Sequence, residues 1–251
     1  MIKRFMTLCE KCERWKLITG AVLGLIVLAS IMLIMLRIFV PRLFVPVEPT
    51  VTSYDGIDVS KHNGAIDWEE VATSKNIKFV YVKATEGRSI IDRRYHENLR
   101  GAKEQGMLVG SYHFFSSKSS IRKQFENFKR TAITDEQDLI PVLDVEPSSI
   151  KGRWTVNQLQ DSVALFVSLV KEHYGRLPII YSNEGFYKRY LAPKFNNHLL
   201  FIANYNCRPT LKHTRHNLWQ YTERGRVKGI AGYVDLIMLD NDTQLDRLRL
   251  R

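Results

Sequence analysis

Residues 139–146 read Leu-Ile-Pro-Val-Leu-Asp-Val-Glu, an unbroken apolar run that ends in two acidic side chains. A continuous run of this kind is typical of a strand that is buried on both faces, as in a parallel sheet. Seven further apolar runs of similar length lie on either side of it in the sequence. They cover residues 56–60, 79–85, 108–115, 177–182, 200–205, 218–221 and 234–239.

Amphipathic segments with helical spacing separate several of these runs. Residues 92–105, 119–132 and 155–174 are the three helices that the pattern predicts. The longest opens with a capping box at Thr155 and Gln158 and is followed by Gly175, a usual helix terminator. Eight strands with crossover helices predict an α/β barrel. About 190 residues are few for a regular eightfold barrel, which needs about 250, so some helices must be absent.

The amino-terminal part of the chain has a different character. Residues 17–36 contain no charged side chain, and as a helix they would span about 30 Å, the thickness of a hydrocarbon core. The run is longer than the apolar region of a typical signal peptide, the alternative interpretation, and no clear cleavage site follows it. Five basic residues precede it, so the positive-inside rule places the amino terminus in the cytoplasm.

The chain is therefore predicted to comprise a basic cytoplasmic stub (1–16), a transmembrane helix (17–36), a proline-containing linker (37–53) and an outer domain with a short basic tail (54–251). The protein is therefore expected to cross the membrane once, with its main domain on the outer side, periplasmic or extracellular. The formal net charge of +11 suggests a polyanionic neighbour such as anionic lipid or cell-wall polymer. Nucleic acid is not expected as a partner, because no recognition motif is present and the domain lies outside the cytoplasm.

Acidic residues mark the ends of three predicted strands. In a barrel, the carboxyl ends of the strands carry the chemistry. Asp144 and Glu146 are two residues apart and face the same side of a strand, with about 6.6 Å between their Cα atoms. Asp58 ends the first run and Asp235 opens the last. Carboxylates around a cleft are the minimal equipment of a glycoside hydrolase, although a hard-metal site or a structural pair would also fit these residues.

At this point the sequence resembles a known family. The segments Asp55-Gly56-Ile57-Asp58-Val59-Ser60, Val82-Lys83-Ala84-Thr85-Glu86-Gly87, Gly110-Ser111-Tyr112-His113-Phe114 and Leu143-Asp144-Val145-Glu146 occur in the order found in family 25 glycoside hydrolases, the Chalaropsis-type lysozymes or N,O-diacetylmuramidases. The later segments Ile180-Tyr181-Ser182, Ala203-Asn204-Tyr205, Leu218-Trp219-Gln220-Tyr221 and Gly232-Tyr233-Val234-Asp235 continue the match. The resemblance covers about residues 54–239.

This resemblance implies a fold, a reaction and a set of roles. The fold would be an irregular (β/α)5β3 barrel of the TIM type. The reaction would be hydrolysis of the β-1,4 bond between N-acetylmuramic acid and N-acetylglucosamine in peptidoglycan, without a metal or another cofactor. Glu146 would be the general acid and Asp144 would stabilise the transition state. Asp58 and Asp235 would complete the acidic cluster.

Aromatic residues near the strand ends are candidates for stacking against sugar rings, with ordinary core packing as the alternative for each. They are Tyr112, Tyr181, Tyr205, Trp219 and Tyr221. The expected partner is the glycan strand of peptidoglycan. A non-catalytic sugar-binding module on the same barrel is the alternative function, and it would be expected to lack one of the acids. All four acids are present here.

Overall fold

The computed structural model describes residues 15, 19–20, 22–32, 53–74, 76–240 and 243–251. The chain divides into two compact units, Met1–Val47 and Glu48–Arg251. In the first unit, residues 22–32 are helical and their side chains are exposed. Within the described residues, no helix is both long enough and apolar enough to cross a membrane.

Two predicted segments, the cytoplasmic stub (1–16) and the linker (37–53), lie almost entirely outside the described residues, whereas residues 19–20 and 22–32 of the predicted transmembrane helix (17–36) are described. All three remain predictions.

The second unit is built on a closed sheet. Its strands are β1 (Gly56–Val59), β2 (Phe79–Glu86), β3 (Ile90–Ile91), β4 (Leu108–Phe114), β5 (Val142–Asp144), β6 (Ile179–Asn183), β7 (Leu200–Ala203), β8 (Leu218–Gly225) and β9 (Val234–Leu239). The hydrogen-bonded order is β1-β9-β8-β7-β6-β5-β4-β2, and a β1–β2 pairing closes the ring; β3 is a short hairpin partner of β2 outside it. Only β9 runs antiparallel to its two neighbours in the ring.

Helices follow the first five strands of the ring. They are α1 (Trp68–Ala72), α2 (Tyr95–Glu104), α3 (Ile121–Thr131), α4 (Val156–Tyr174) and α5 (Glu184–Phe186, continued by a π-helical turn at Tyr187–Leu191). No helix intervenes between β7, β8 and β9. Five strand–helix units followed by three strands explain why so short a domain closes a barrel, and they confirm the predicted α/β barrel.

The helix predictions hold to within about one turn at each end. Helix α4 begins as the sequence indicates, because the Gln158 amide donates to Thr155 Oγ1 over 3.2 Å and Gln158 Oε1 accepts from the Thr155 amide over 3.0 Å. The helix ends at Gly175, whose φ of 76° is in the left-handed region that glycine tolerates best.

Strand residues alternate between two apolar cores. Side chains that point into the barrel form one cluster, and those that point outward pack against the helices in a second, larger cluster. The inner cluster includes Phe79, Tyr81, Val142, Ile179, Phe201 and Ile237. Gly110 belongs to this interior, since a Cβ there would lie 2.4 Å from the Tyr81 ring. Strands buried on both faces account for the unbroken apolar runs in the sequence.

Strand β5 is shorter than the run at 139–146 predicts. Pro141 lacks an amide proton, so it cannot continue the ladder as a donor. The residues before it pair with the carboxyl-terminal tail instead: the Ile140 amide donates to Leu248 O over 2.8 Å, and the Leu250 amide donates to Asp138 O over 2.9 Å. The tail therefore packs under the amino-terminal end of the barrel and buries Leu248 there.

Candidate active site

The four acidic residues predicted from the sequence line one cavity at the carboxyl end of the parallel strands. It has a volume of about 300 Å³. Asp58 comes from β1, Asp144 from the end of β5 and Glu146 from just beyond it, and the antiparallel β9 supplies Asp235 near its start. Asp58, Asp144 and Asp235 are at inward positions of their strands, and Glu146, two residues beyond Asp144, lines the same cavity.

Asp58 and Asp235 form an acidic pair at one side of the cavity. They are register partners on the antiparallel strands β1 and β9. Burial and the neighbouring charge of Asp235 raise the pKa of Asp58 well above its usual value, and burial raises the pKa of Asp235 to about 6. Gln220 partly offsets the rise in the pKa of Asp58, because its Nε2 donates to Asp58 Oδ2 over 2.8 Å. Both carboxyl groups therefore keep their protons to a higher pH than free aspartic acid does.

Asp144 is the most deeply placed of the four acids, with 8% of its surface exposed. Burial, and then the charge of Glu146, raise the pKa of Asp144 well above its usual value, and Lys83 acts in the opposite direction. Among the described residues, none donates a hydrogen bond to its Oδ1. A buried acceptor without a donor is uncommon, and it is available to a donor on a ligand.

Glu146 lies nearer the rim and is partly exposed. It directly precedes a short 3-10 helix, Pro147–Ser149, which fixes its backbone: the Glu146 amide donates to Ser149 Oγ over 3.1 Å, and Ser149 Oγ donates back to Glu146 O over 2.6 Å. Ser148 Oγ donates to the carboxylate Oε1. A carboxyl group on a fixed backbone at the mouth of the cavity is well placed to exchange a proton with a bound molecule.

Three of the five predicted aromatic residues line the same cavity, namely Tyr112, Tyr181 and Tyr205. The hydroxyls of Tyr181 and Tyr205 both donate to Gln220 Oε1 over 2.8 Å. Gln220 thus connects two tyrosines to Asp58 through a single amide.

Trp219 and Tyr221 lie elsewhere. Both belong to the outer apolar cluster and are almost completely buried, with 5% and 4% of their surfaces exposed. Trp219 Nε1 donates to Asn204 O over 2.8 Å. Their positions on β8 alternate with Gln220, so their side chains point away from the cavity. Their surroundings are those of ordinary core packing.

Further lining residues were not among the sequence-based candidates. Gln220 is the clearest of them. The sequence could have indicated it as a site residue, because it is the only polar residue in the apolar segment 218–221. Lys83 also lines the cavity; its Nζ lies 2.9 Å from Glu86 Oε2 and 4.5 Å from the centroid of the Phe114 ring. Glu223 adds another carboxylate.

Within the residues that the structure describes, no group of three or more His, Cys, Asp or Glu side chains is arranged to hold a metal ion. The lining of the cavity includes tyrosines and the Gln220 amide as well as the acids. That metals and other cofactors are unnecessary stays a prediction.

Comparison with known proteins gives a consistent picture. The chain is 35% identical over 192 residues to the protein YegX of Escherichia coli K12, covering 74% of this chain and 70% of that protein. It is 30% identical over 204 residues to Lysozyme M1 of Streptomyces globisporus, covering 75% and 69%. A solved family 25 glycosyl hydrolase from Bacillus anthracis matches with a TM-score of 0.69 and 30% identity, covering 78% of this chain and 94% of that one.

The sequence profile that describes glycosyl hydrolases family 25 matches residues 57–230, from β1 to the loop before β9. This range contains three of the four acids and all the helices α1 to α5. The chain therefore belongs to family 25 of the glycosyl hydrolases.

Proposed function

We propose that this protein is a membrane-anchored muramidase that hydrolyses the β-1,4 bond between N-acetylmuramic acid and N-acetylglucosamine in peptidoglycan. The observation that carries the proposal is the convergence of Asp58, Asp144, Glu146 and Asp235 on one tyrosine-lined cavity of a family 25 barrel. Family relatives named as lysozymes support the choice of peptidoglycan as substrate.

Glu146 is assigned as the general acid. Its carboxyl group is at the mouth of the cavity, where the oxygen of a scissile bond would enter, and its backbone is fixed by Ser149. In a glycoside hydrolase the general acid protonates the leaving-group oxygen. Removal of the carboxyl group alone should therefore abolish turnover and leave binding.

Asp144 is assigned to the stabilisation of the transition state. Its buried Oδ1 accepts no hydrogen bond from the described residues, and the 2-acetamido group of the sugar carries an N–H that would satisfy it. The same contact would orient the acetamido group beside the bond to be cleaved. The rings of Tyr112, Tyr181 and Tyr205 would line the sugar-binding surface around it.

The decisive experiment identifies the new reducing ends. Purified peptidoglycan is incubated with the full-length protein in mild detergent, reduced with borohydride and analysed by mass spectrometry. We expect reduced muramic acid ends with the wild type and with Glu172→Gln, a control in an exposed residue of α4. Glu146→Gln should give at most about 1% of that rate, since general acid catalysis contributes about 10²–10⁴-fold.

Other outcomes would redirect the proposal. Reduced N-acetylglucosamine ends would retain a hydrolase but refute the bond assignment. No release from several walls, with retained binding of glycan, would support the non-catalytic sugar-binding module instead.

The anchoring part of the proposal rests on the uncharged run at 17–36 and its basic flank. The native cysteines test it. Cys9 and Cys12 would lie in the cytoplasm, whereas Cys207 is exposed on the second unit. In spheroplasts, a membrane-impermeant maleimide should label Cys9→Ser/Cys12→Ser and spare Cys207→Ser until lysis. The reverse pattern, or release of the protein by alkaline carbonate, would refute the anchor.

A further inference from the structure

A second cavity adjoins the acidic one on the same face of the barrel. Its volume is about 630 Å³, and Trp154, Phe186 and Tyr190 form much of its lining. Pro147, which also lines it, directly follows Glu146 of the first cavity, so lining residues of the two cavities are joined by one peptide bond. A molecule held at Glu146 therefore has a neighbouring recess within one residue of the assigned acid.

The two neighbouring strands β5 and β6 lead from one cavity into the other. On β6, Tyr181 lines the first cavity and Asn183, the next residue on the same strand face, lines the second. The second cavity is therefore a continuation of the cleft along the carboxyl ends of the strands.

The two cavities have opposite charge. Five carboxylates and one lysine line the first, whereas Arg153 and Arg189 line the second, which has no acidic residue among its lining residues. Neither arginine forms an ion pair with any other described residue. The Arg189 guanidinium lies 5.3 Å from the centroid of the Tyr190 ring. Two guanidinium groups without an ion pair, one of them beside an aromatic ring, favour a ligand with carboxylates and an apolar part.

The walls of this cavity are fixed by contacts that do not use the arginines. Gln160 Nε2 donates to Tyr190 O over 3.0 Å and ties α4 to the turn after α5. On the other side, the Lys151 amide donates to Ser117 Oγ over 2.6 Å and holds the loop that precedes α4. The site is therefore built before a ligand arrives, which lowers the entropic cost of binding.

We propose that the second cavity binds the acidic peptide stem of peptidoglycan, with Arg153 and Arg189 pairing with its carboxylates. In peptidoglycan the stem is attached through the lactyl group of muramic acid, one of the two sugars of the bond that Glu146 is assigned to protonate. The inference rests on the proposed function, because only a glycan seated at Glu146 brings a stem to this recess. It makes the stem peptide part of what the enzyme recognises.

Calorimetric titration of the full-length Glu146→Gln protein in detergent tests this without turnover. The ligands are an N-acetylglucosaminyl-muramyl tetrapeptide, the same compound with its carboxylates converted to amides, and the peptide-free disaccharide. We expect Arg153→Gln/Arg189→Gln to weaken binding of the acidic muropeptide by about five- to tenfold and to leave the disaccharide unchanged. Amidation of the ligand should give a similar loss without any change in the protein.

A matched control removes two arginines from the opposite end of the barrel, Arg247→Gln/Arg251→Gln, and should bind like the parent. Equal affinity for the acidic and amidated ligands would overturn the proposal, as would an equal loss for muropeptide and disaccharide in the arginine variant. Binding of poly(glycerol phosphate) in place of the muropeptide would assign the cavity to a phosphate polymer. Failure of the muramidase assignment would appear separately, as absence of new reducing ends from the protein with intact Glu146.

Discussion

Asp58 and Asp235 lie directly opposite each other on the antiparallel strands β1 and β9, and both side chains point into the cavity that holds Asp144 and Glu146. Burial raises the pKa values of both carboxyl groups, that of Asp235 to about 6, and the charge of Asp235 raises the pKa of Asp58 further. Both carboxyl groups are therefore harder to ionise in the folded protein than in the unfolded chain. Raised pKa values of this kind cost stability, and they are typical of functional sites, where the chemistry needs them.

We predict that Asp235→Asn stabilises the protein at pH 7 while removing most of its activity. An acid whose folded pKa is raised holds its proton longer in the native state, so its contribution to stability falls as pH rises from about 4 to about 6. The variant lacks this fall. Urea unfolding of the full-length protein should show a gain of about 1–2 kcal/mol at pH 7 and almost none at pH 4. A variant that is less stable than the wild type at pH 7 would contradict the argument.

Gln220 is predicted to act as a positioning residue. Its amide donates to Asp58 and accepts from Tyr181 and Tyr205, so it fixes a carboxylate and two hydroxyls together. Gln220→Met, which has similar length and no amide, should lower kcat/KM by about 10–100-fold, as expected when a catalytic group shifts. The measurement is the initial rate on soluble peptidoglycan fragments, corrected for the folded fraction by circular dichroism.

Gln220→Glu separates this role from simple packing. The introduced carboxyl group can still accept from the tyrosines, but it donates to Asp58 only when protonated. Activity relative to the wild type should therefore rise as the pH falls from 7 to 5. A constant ratio over that range would mean that the donor to Asp58 has no part in the reaction.

The strands could be predicted because their apolar runs record burial on both faces. Runs such as 79–85 and 234–239 became β2 and β9 with little change at their ends. Helices α1 and α5 were not predicted, since five and three α-helical residues are too few to display a 3.6-residue period. The end of the chain was predicted only as a short basic tail, although Leu248 and Leu250, which alternate with arginines, are buried.

The acidic cluster was predictable because charged residues in apolar strands are costly and therefore informative. The aromatic lining was only partly predictable. In the segment 218–221 three of four side chains are apolar, so hydrophobicity alone does not show which side chains point into the barrel. The pairing of β8 with β7 and β9 sets that face, and it turns Gln220 inward and Trp219 outward.

Because one lies in the outer apolar cluster and the other lines the cavity, two of the five predicted aromatic residues should respond differently to substitution. Trp219→Phe removes a buried hydrogen bond to Asn204 O and should cost about 1–2 kcal/mol of unfolding free energy with kcat unchanged. Tyr205→Phe removes a hydroxyl that faces the cavity and should lower kcat/KM severalfold with little change in stability. Parallel urea titrations and rate measurements check both. Loss of activity in folded Trp219→Phe would contradict the assignment of faces.

His113 should make the protein sensitive to acid by a mechanism of opposite sign to that of Asp235. Its ring is fully buried on the outer side of β4, with Nδ1 2.7 Å from Thr85 Oγ1, Nε2 3.2 Å from Gln124 Oε1 and the Phe166 ring stacked on it. Burial lowers the pKa of His113 to about 3. Between about pH 6.5 and 3 the unfolded chain binds a proton that the native state excludes, so stability falls as the pH falls through that window.

We therefore expect His113→Gln to cost stability at pH 7, where packing and hydrogen bonds are lost, and to lose less than the wild type on acidification. From pH 7 to pH 4.5 the wild type should lose about 2 kcal/mol more than the variant, because each pH unit in the window contributes at most about 1.4 kcal/mol. His96→Gln, at an exposed position of α2, should follow the wild-type curve. Parallel stability curves for wild type and His113→Gln would show that His113 is protonated in the folded protein and that its burial does not set the acid limit of the fold.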